Sequence, residues 1–261
     1  MTVAALISFF QVVSVLGSAL VAVKLYSSGL YRRYRIFFIF FVFRIPYLTC
    51  FWIQSHHGQN SREYLILFLF SEPVVMLFYI LVVMELYGLV LERYKGLYTL
   101  GRWAMYAAIV ISATISVLML LPKITPSTPE PSKYLFKEMA VERGVDSSLV
   151  LFILLIVMFL GRFPVPLSRN VVVHTGIYAV FFLANTLVLL LRTLFTVTAG
   201  EPVDLALVAI TAACSVAWWL LLSAKGEEAR VSMPHLGPGS EERILRQLDS
   251  LNATLLKVSR K

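Results

Sequence analysis

The chain alternates between long apolar runs and short polar segments. Seven runs stand out as candidate membrane spans: Val3–Tyr26, Ile36–Gln54, Tyr64–Leu91, Trp103–Leu121, Ser147–Phe163, Val171–Phe195 and Val203–Ala224. A helix needs roughly 20 apolar residues to cross about 30 Å of hydrocarbon. The fifth run sits at the short limit, and the third is long enough to require a tilt or a kink. The first run has no basic segment before it and continues to Lys24, which reads as a retained span rather than a cleaved leader.

Composition supports this reading. Hydrophobic residues make up 59% of the 261 residues and charged residues only 15%, and the mean hydropathy is +0.80. A soluble domain carries about 25% charged residues. The expected fold is therefore all-α: a polytopic membrane protein with seven transmembrane helices and a short C-terminal cytoplasmic amphipathic helix. The division runs 1–224 for the membrane domain, 225–240 for a linker and 241–261 for the tail helix.

The net charge of +8 is read through the preference of basic residues for cytoplasmic loops, not as a nucleic-acid footprint. With the N-terminus outside, the inner short loops hold Lys24, Arg32, Arg33, Arg35, Arg93, Lys95, Arg102, Arg162 and Arg169. The outer loops hold only Arg62, Lys123, Lys133, Lys137 and Arg143. The tail adds further basic residues to the inner side. The rule selects N-out, C-in, and hence a multi-pass protein of the plasma membrane, or of the inner membrane in a bacterium. Trp103 and the pair Trp218–Trp219 fall where inner interfacial anchors belong. The outer loop Pro122–Asp146 starts proline-rich and then reads as a short surface helix over Ser132–Arg143.

Small residues four apart permit close helix packing in lipid. They recur as Ser14, Ser18 and Ala22; as Ala104, Ala108, Ser112 and Ser116; and as Ala209, Ala213 and Ala217. The second span is bulky instead, with phenylalanines at 37, 38, 40, 41, 43 and 51 that either face lipid or fill the bundle centre. Cys50 and Cys214 lie inside apolar runs and read as small core residues rather than a disulfide pair.

Charges inside these spans are costly and so draw attention. Arg44 falls midway along the second span and Glu72 in the third, at similar depth if the third run is one kinked helix. An ion pair between them is expected, with Phe40, Phe41, Tyr47 and Leu48 on the arginine's helix face and cation–π support from the rings. Each charge adjoins a proline, Pro46 or Pro73, and a charge beside a broken helix at mid-membrane marks transporter sites. The competing reading is a structural ion pair. Should the helix start at Pro73 instead, Glu72 would lie near the outer interface. The Gly200-Glu201-Pro202-Val203 segment echoes Ser71-Glu72-Pro73-Val74.

Nearer the inner side, Glu85 and His174 have similar depths and form a candidate proton-sensitive pair. Asn185 lies deeper in the sixth span, and Gln11 faces the Ser14/Ser18 side of the first. The candidate intramembrane polar site is thus Arg44, Tyr47, Glu72, Glu85, His174 and Asn185.

The seventh span holds no lysine for a retinal Schiff base, and no spacing of histidines suits haem or zinc. Motifs for nucleophilic catalysis or phosphate cradling are missing as well. The expectation is a protein without catalytic, metal or cofactor sites. In the tail, Ile244, Leu248, Leu251, Leu255 and Val258 follow a heptad rhythm, with Leu245 and Leu256 widening the stripe. That pattern fits a dimer seam, a helix on the inner leaflet, or docking of a cytoplasmic partner. The expected partners are the lipid bilayer and, through 241–261, a second copy or a cytoplasmic protein; nucleic acid is not expected. The topology and tail favour a receptor-like or sensory membrane module. The alternative is a small-solute or ion transporter built on Arg44 and Glu72.

Overall fold

The structure is a computed structural model that describes residues 2–57, 62–92, 94–120, 130–162, 167–194, 200–228, 230–231, 246–250 and 252–255. Nearly all of these residues are helical. The long helices are α1 (Val3–Ser27), α2 (Arg35–His57), α3 (Arg62–Val90), α4 (Lys95–Leu120), α5 (Glu130–Arg162), α6 (Arg169–Leu194) and α7 (Gly200–Leu221). A 3₁₀ turn, Leu30–Arg32, joins α1 to α2, and the short α8 (Ala224–Glu228) follows α7. Two-residue strands, β1 (Leu167–Ser168) and β2 (Arg230–Val231), pair antiparallel with Leu167 opposite Val231.

Among the described residues, five helices are long and apolar enough to cross a membrane: α1, the 35–53 part of α2, the 66–90 part of α3, the 169–188 part of α6 and the 202–221 part of α7. In α5 the apolar stretch is shorter, Gly144–Phe159. Large apolar side chains such as Leu16, Val23, Phe70, Val110, Leu151, Met158, Val180 and Leu220 point outward from the bundle. In water such a belt would be a large exposed apolar patch; in lipid it is a solvated surface. These are the features of a membrane-embedded protein.

α1 packs against α7 and α2, α4 against α5, and α6 against α5 and α7, while α3 touches α2, α5 and α6. Small residues set the closest approaches. A Cβ on Gly17 would lie 3.0 Å from Ser215 Cβ, and one on Gly144 would lie 2.7 Å from Ala113 Cα. Ser112 Oγ donates to Gly144 O at 2.9 Å across the same α4–α5 seam. Of the three small-residue stripes, the first is buried at Ser14, Ser18 and Ala22. The third is not a packing face throughout: Ala213 is exposed, and α7 turns Ala212, Cys214, Ser215 and Trp218 inward.

The phenylalanines of α2 fill the bundle centre, with Phe37, Phe40 and Phe41 all buried. Trp218 joins them in edge-to-face contact with Phe37 and Phe41 and is no interfacial anchor, whereas Trp219 stays half-exposed. Cys50 is exposed and so is no core residue, while Cys214 is buried. The surface helix expected over Ser132–Arg143 is instead the start of α5, because no residue between it and the fifth apolar run breaks the helix. Pro73 lies inside one continuous α3, which favours the single long helix over a start at Pro73. Pro202 lies in the first turn of α7, so the echo between the two Glu-Pro segments does not extend to their structure.

Candidate functional site

Two polar centres lie in opposite halves of the bundle. The first is a cavity of about 240 Å³ in the half that contains the N-terminus of α1. Its walls include Gln11 and Ser14 of α1, Arg44 and Tyr47 of α2, Glu72 and Tyr79 of α3, Glu142 of α5, Asn185 of α6 and Thr211 of α7. Helical spacing explains the part played by α2: Phe40, Arg44, the adjacent Tyr47 and Leu48, and Phe51 follow at steps of three or four residues and present one face. Near the two prolines, hydroxyls bond back to carbonyls four residues earlier, Thr49 Oγ1 to Ile45 O at 2.8 Å and Ser71 Oγ to Leu67 O at 2.6 Å. Such bonds satisfy the hydroxyls within their own helices and can bend them.

Arg44 and Glu72 share this cavity but do not form the expected ion pair; among the described residues, no carboxylate lies within 4.0 Å of the guanidinium. Glu72 is taken by a different partner. Tyr47 Oη donates to Glu72 Oε1 at 2.5 Å. The guanidinium instead lies over the rings of Phe40 and Phe41, at 5.6 and 5.8 Å from their centroids. Tyr47 stands one turn beyond Arg44, and its phenol reaches α3 where the arginine was expected to.

Asn185 donates from Nδ2 to Asp146 Oδ2, joining α6 to α5. Asp146 is fully buried, and its Oδ1 has no hydrogen-bond partner among the described residues. Sequence reasoning missed this residue because it placed Asp146 at the end of the outer loop. The run Gly144-Val145-Asp146-Ser147-Ser148 carried a signal, since small residues at its two ends permit contact with α4. Both are used: Ser148 Oγ reaches Ala108 O at 3.3 Å.

Glu85 and His174 do not pair, because each has another environment. Glu85 accepts from the backbone amides of Ile36 at 2.8 Å and Phe37 at 3.0 Å. It therefore caps the N-terminus of α2 from a neighbouring helix, where free N–H groups and the helix dipole favour a carboxylate. His174 is buried in a ring cluster of Tyr34, Phe37, Tyr178 and Trp218, at centroid distances of 5.5, 4.2, 4.9 and 6.0 Å. The His174 Nδ1, Tyr178 Oη and Trp218 Nε1 atoms have no hydrogen-bond partner among the described residues.

The second polar centre lies beyond this cluster, at the end of the bundle where α1 finishes. Glu227 of α8 gathers Arg33 Nε at 2.6 Å, Tyr34 Oη at 2.8 Å and Asn170 Nδ2 at 3.2 Å. Arg33 also reaches Glu92 at 3.0 Å, and Asn170 donates to Ser223 O at 2.7 Å. This clasp ties the α1–α2 connection, the end of α3, the start of α6 and α8 together. Burial, followed by the hydrogen bond to Glu227, pushes the Tyr34 hydroxyl well above the ordinary tyrosine range. On the same end, Lys24 Nζ donates to Trp219 O, a cation on the C-terminal carbonyls of α7.

The described part of the tail folds back onto the bundle. Residues 246–250 and 252–255 are helical, Leu248 is buried against the core, and Asn252 Oδ1 accepts from Gly96 N at 2.8 Å in the first turn of α4. Ile244, Leu245, Leu251, Leu256 and Val258 lie outside the described residues or their described side chains.

The described residues contain no group of three His, Cys, Asp or Glu side chains that could hold a metal ion. Comparison of the chain with protein-family models, curated proteins and solved structures gives no match.

Proposed function

We propose that the chain is a non-enzymatic, seven-span protein of the plasma membrane that takes a small polar solute into the Arg44 cavity and carries it across. On this reading α4 and α5 supply the two remaining spans, and the N-terminus is outside. One observation carries the proposal: a buried cation lines a cavity beside Glu72 and Asn185, and among the described residues no carboxylate forms an ion pair with it. An arginine kept only to hold two helices together would be expected to sit in a closed ion pair.

The division of the bundle supports transport over simple binding. The cavity occupies one half, while the aromatic cluster around His174 and the Glu227 clasp close the other. A site at one depth with a closed layer on one side is the arrangement from which alternating access proceeds. At about 240 Å³ the cavity falls below the usual range for drug-sized ligands, which begins near 300 Å³. The solute is accordingly small.

A receptor-like module is the second reading, and the tail favours it. A cytoplasmic segment seated on the start of α4 through Asn252, with Leu248 buried, would report a rearrangement of the bundle to a partner.

Site-directed thiol labelling separates the two. In a Cys50→Ser, Cys214→Ser background, Thr211→Cys should react with a membrane-impermeant reagent from the outer face. Weakening the clasp with Arg33→Ala should raise its labelling from the inner face. A cysteine at 211 that reacts from neither face removes the cavity. One that reacts from the outer face only, whatever the clasp does, leaves the receptor reading in place of transport.

A further inference from the structure

Resting on that reading of the cavity, we infer that the solute is a small monocarboxylate with an apolar body, its carboxylate gripped by Arg44. Arg44 as a whole is only 5% exposed. The faces of Phe40 and Phe41 cover its guanidinium at 5.6 and 5.8 Å. A cation held over ring faces makes no hydrogen bond to them, and a carboxylate matches the guanidinium's planar N–H fork with two parallel bonds.

The neighbouring groups narrow the choice. Glu72 already accepts from Tyr47, and Asn185 is engaged with Asp146. Glu72 and Glu142 stand in the same wall as the single cation, so each added negative charge is opposed there, and a dianion is opposed twice over. A halide would satisfy Arg44 but leave the rest of the cavity unfilled. Part of the remaining wall is apolar, formed by Phe43, Leu48, Phe51, Val75, Leu207 and Val208. A charged head with a short hydrocarbon or aromatic body uses both parts.

The test is isothermal titration of the full-length protein, purified in nanodiscs, with sodium benzoate, sodium acetate and the neutral isostere benzamide. Benzoate should bind, benzamide should not, and Arg44→Gln should abolish benzoate binding. Arg44→Lys keeps the charge but loses the fork, and should weaken benzoate about tenfold or more. If Arg44→Gln fails to fold, Val208→Phe decides together with Arg44→Lys: filling the apolar wall should remove benzoate while sparing acetate. Equal binding of benzamide, or benzoate binding untouched by the Arg44 substitutions, overturns the carboxylate assignment. So does an absence of binding by every probe while a cysteine at 211 is still labelled, and in both cases the cavity itself stands. No binding together with no labelling at 211 removes the carboxylate and the cavity at once.

Discussion

Tyr47 and Glu72 meet across α2 and α3, hydroxyl to carboxylate at 2.5 Å, each beside the proline inside its helix. This contact takes the place of a direct arginine–glutamate pair and leaves Arg44 facing the cavity. A neutral donor on the carboxylate satisfies one buried charge without neutralising the other. The two opposite charges thereby stay within one cavity but available to different partners.

That relationship can be measured by coupling. Tyr47→Phe should destabilise the protein by about 1–3 kcal/mol, because it leaves a carboxylate oxygen without its partner. The double change Tyr47→Phe, Glu72→Gln should cost less than the sum of its parts. Coupling between Arg44→Ala and Glu72→Ala should be smaller, since those side chains do not touch. Thermal unfolding in detergent provides the readout, and stronger coupling for the arginine pair would contradict the geometry.

The topology is open to direct measurement. A reporter fused after Lys261 should be cytoplasmic, and one inserted near Ser127 external. Both on the same side would rule out seven spans with the N-terminus outside.

At the closed end, Tyr34 offers a pH signature. Its hydroxyl is held above the ordinary tyrosine range by burial and by Glu227. Because the folded value exceeds the unfolded one, the contribution to stability is full below about pH 10 and is lost as the pH rises further. Tyr34→Phe should therefore lower stability at pH 8 by about 1–2 kcal/mol and flatten the decline above pH 10. An unchanged alkaline slope would place the titration elsewhere. The Arg33–Glu92 half of the clasp is exposed on both sides, so Glu92→Gln should cost at most about 1 kcal/mol.

Much of this arrangement was legible in the sequence because hydrocarbon allows few solutions. Among the described residues, five of the apolar runs became long membrane-competent helices, and Pro73 lies within one helix because the alternative would expose Leu65–Phe70 to water. Arg44, Tyr47, Glu72 and Asn185 converged on one cavity because rare polar residues at similar depth have few places to go. Depth along an axis says little about rotation around it, however. Glu85 and His174 share a depth, yet one turns toward the amides of α2 and the other into a ring cluster. Asp146 was hidden by the low hydropathy of its own flank, and the Glu227 clasp by long-range contacts that no local pattern records. The leucine rhythm of the tail was visible, but which surface it covers depends on Gly96, which lies between the third and fourth apolar runs and carries no pattern of its own.

That glycine makes the tail's docking testable. A Cβ at Gly96 would fall 2.8 Å from Asn252 O, 2.9 Å from Asn252 Oδ1 and 3.0 Å from Leu255 Cβ, and the first of these is backbone that cannot swing aside. Gly96→Ala should therefore lift the tail from the start of α4. Leu248→Asp should do so by another route, since burying a carboxylate among apolar side chains costs several kcal/mol, on the order of the whole contact. Both variants should speed tryptic removal of the C-terminal segment while the thermal unfolding of the bundle moves little. A dimer seam gives the opposite pattern: Leu248→Asp would change the oligomeric state, and Gly96→Ala, which lies outside the heptad, would change nothing. Measuring tryptic rates and sedimentation on the same two variants thus distinguishes a tail that latches onto its own bundle from one that pairs with a second copy.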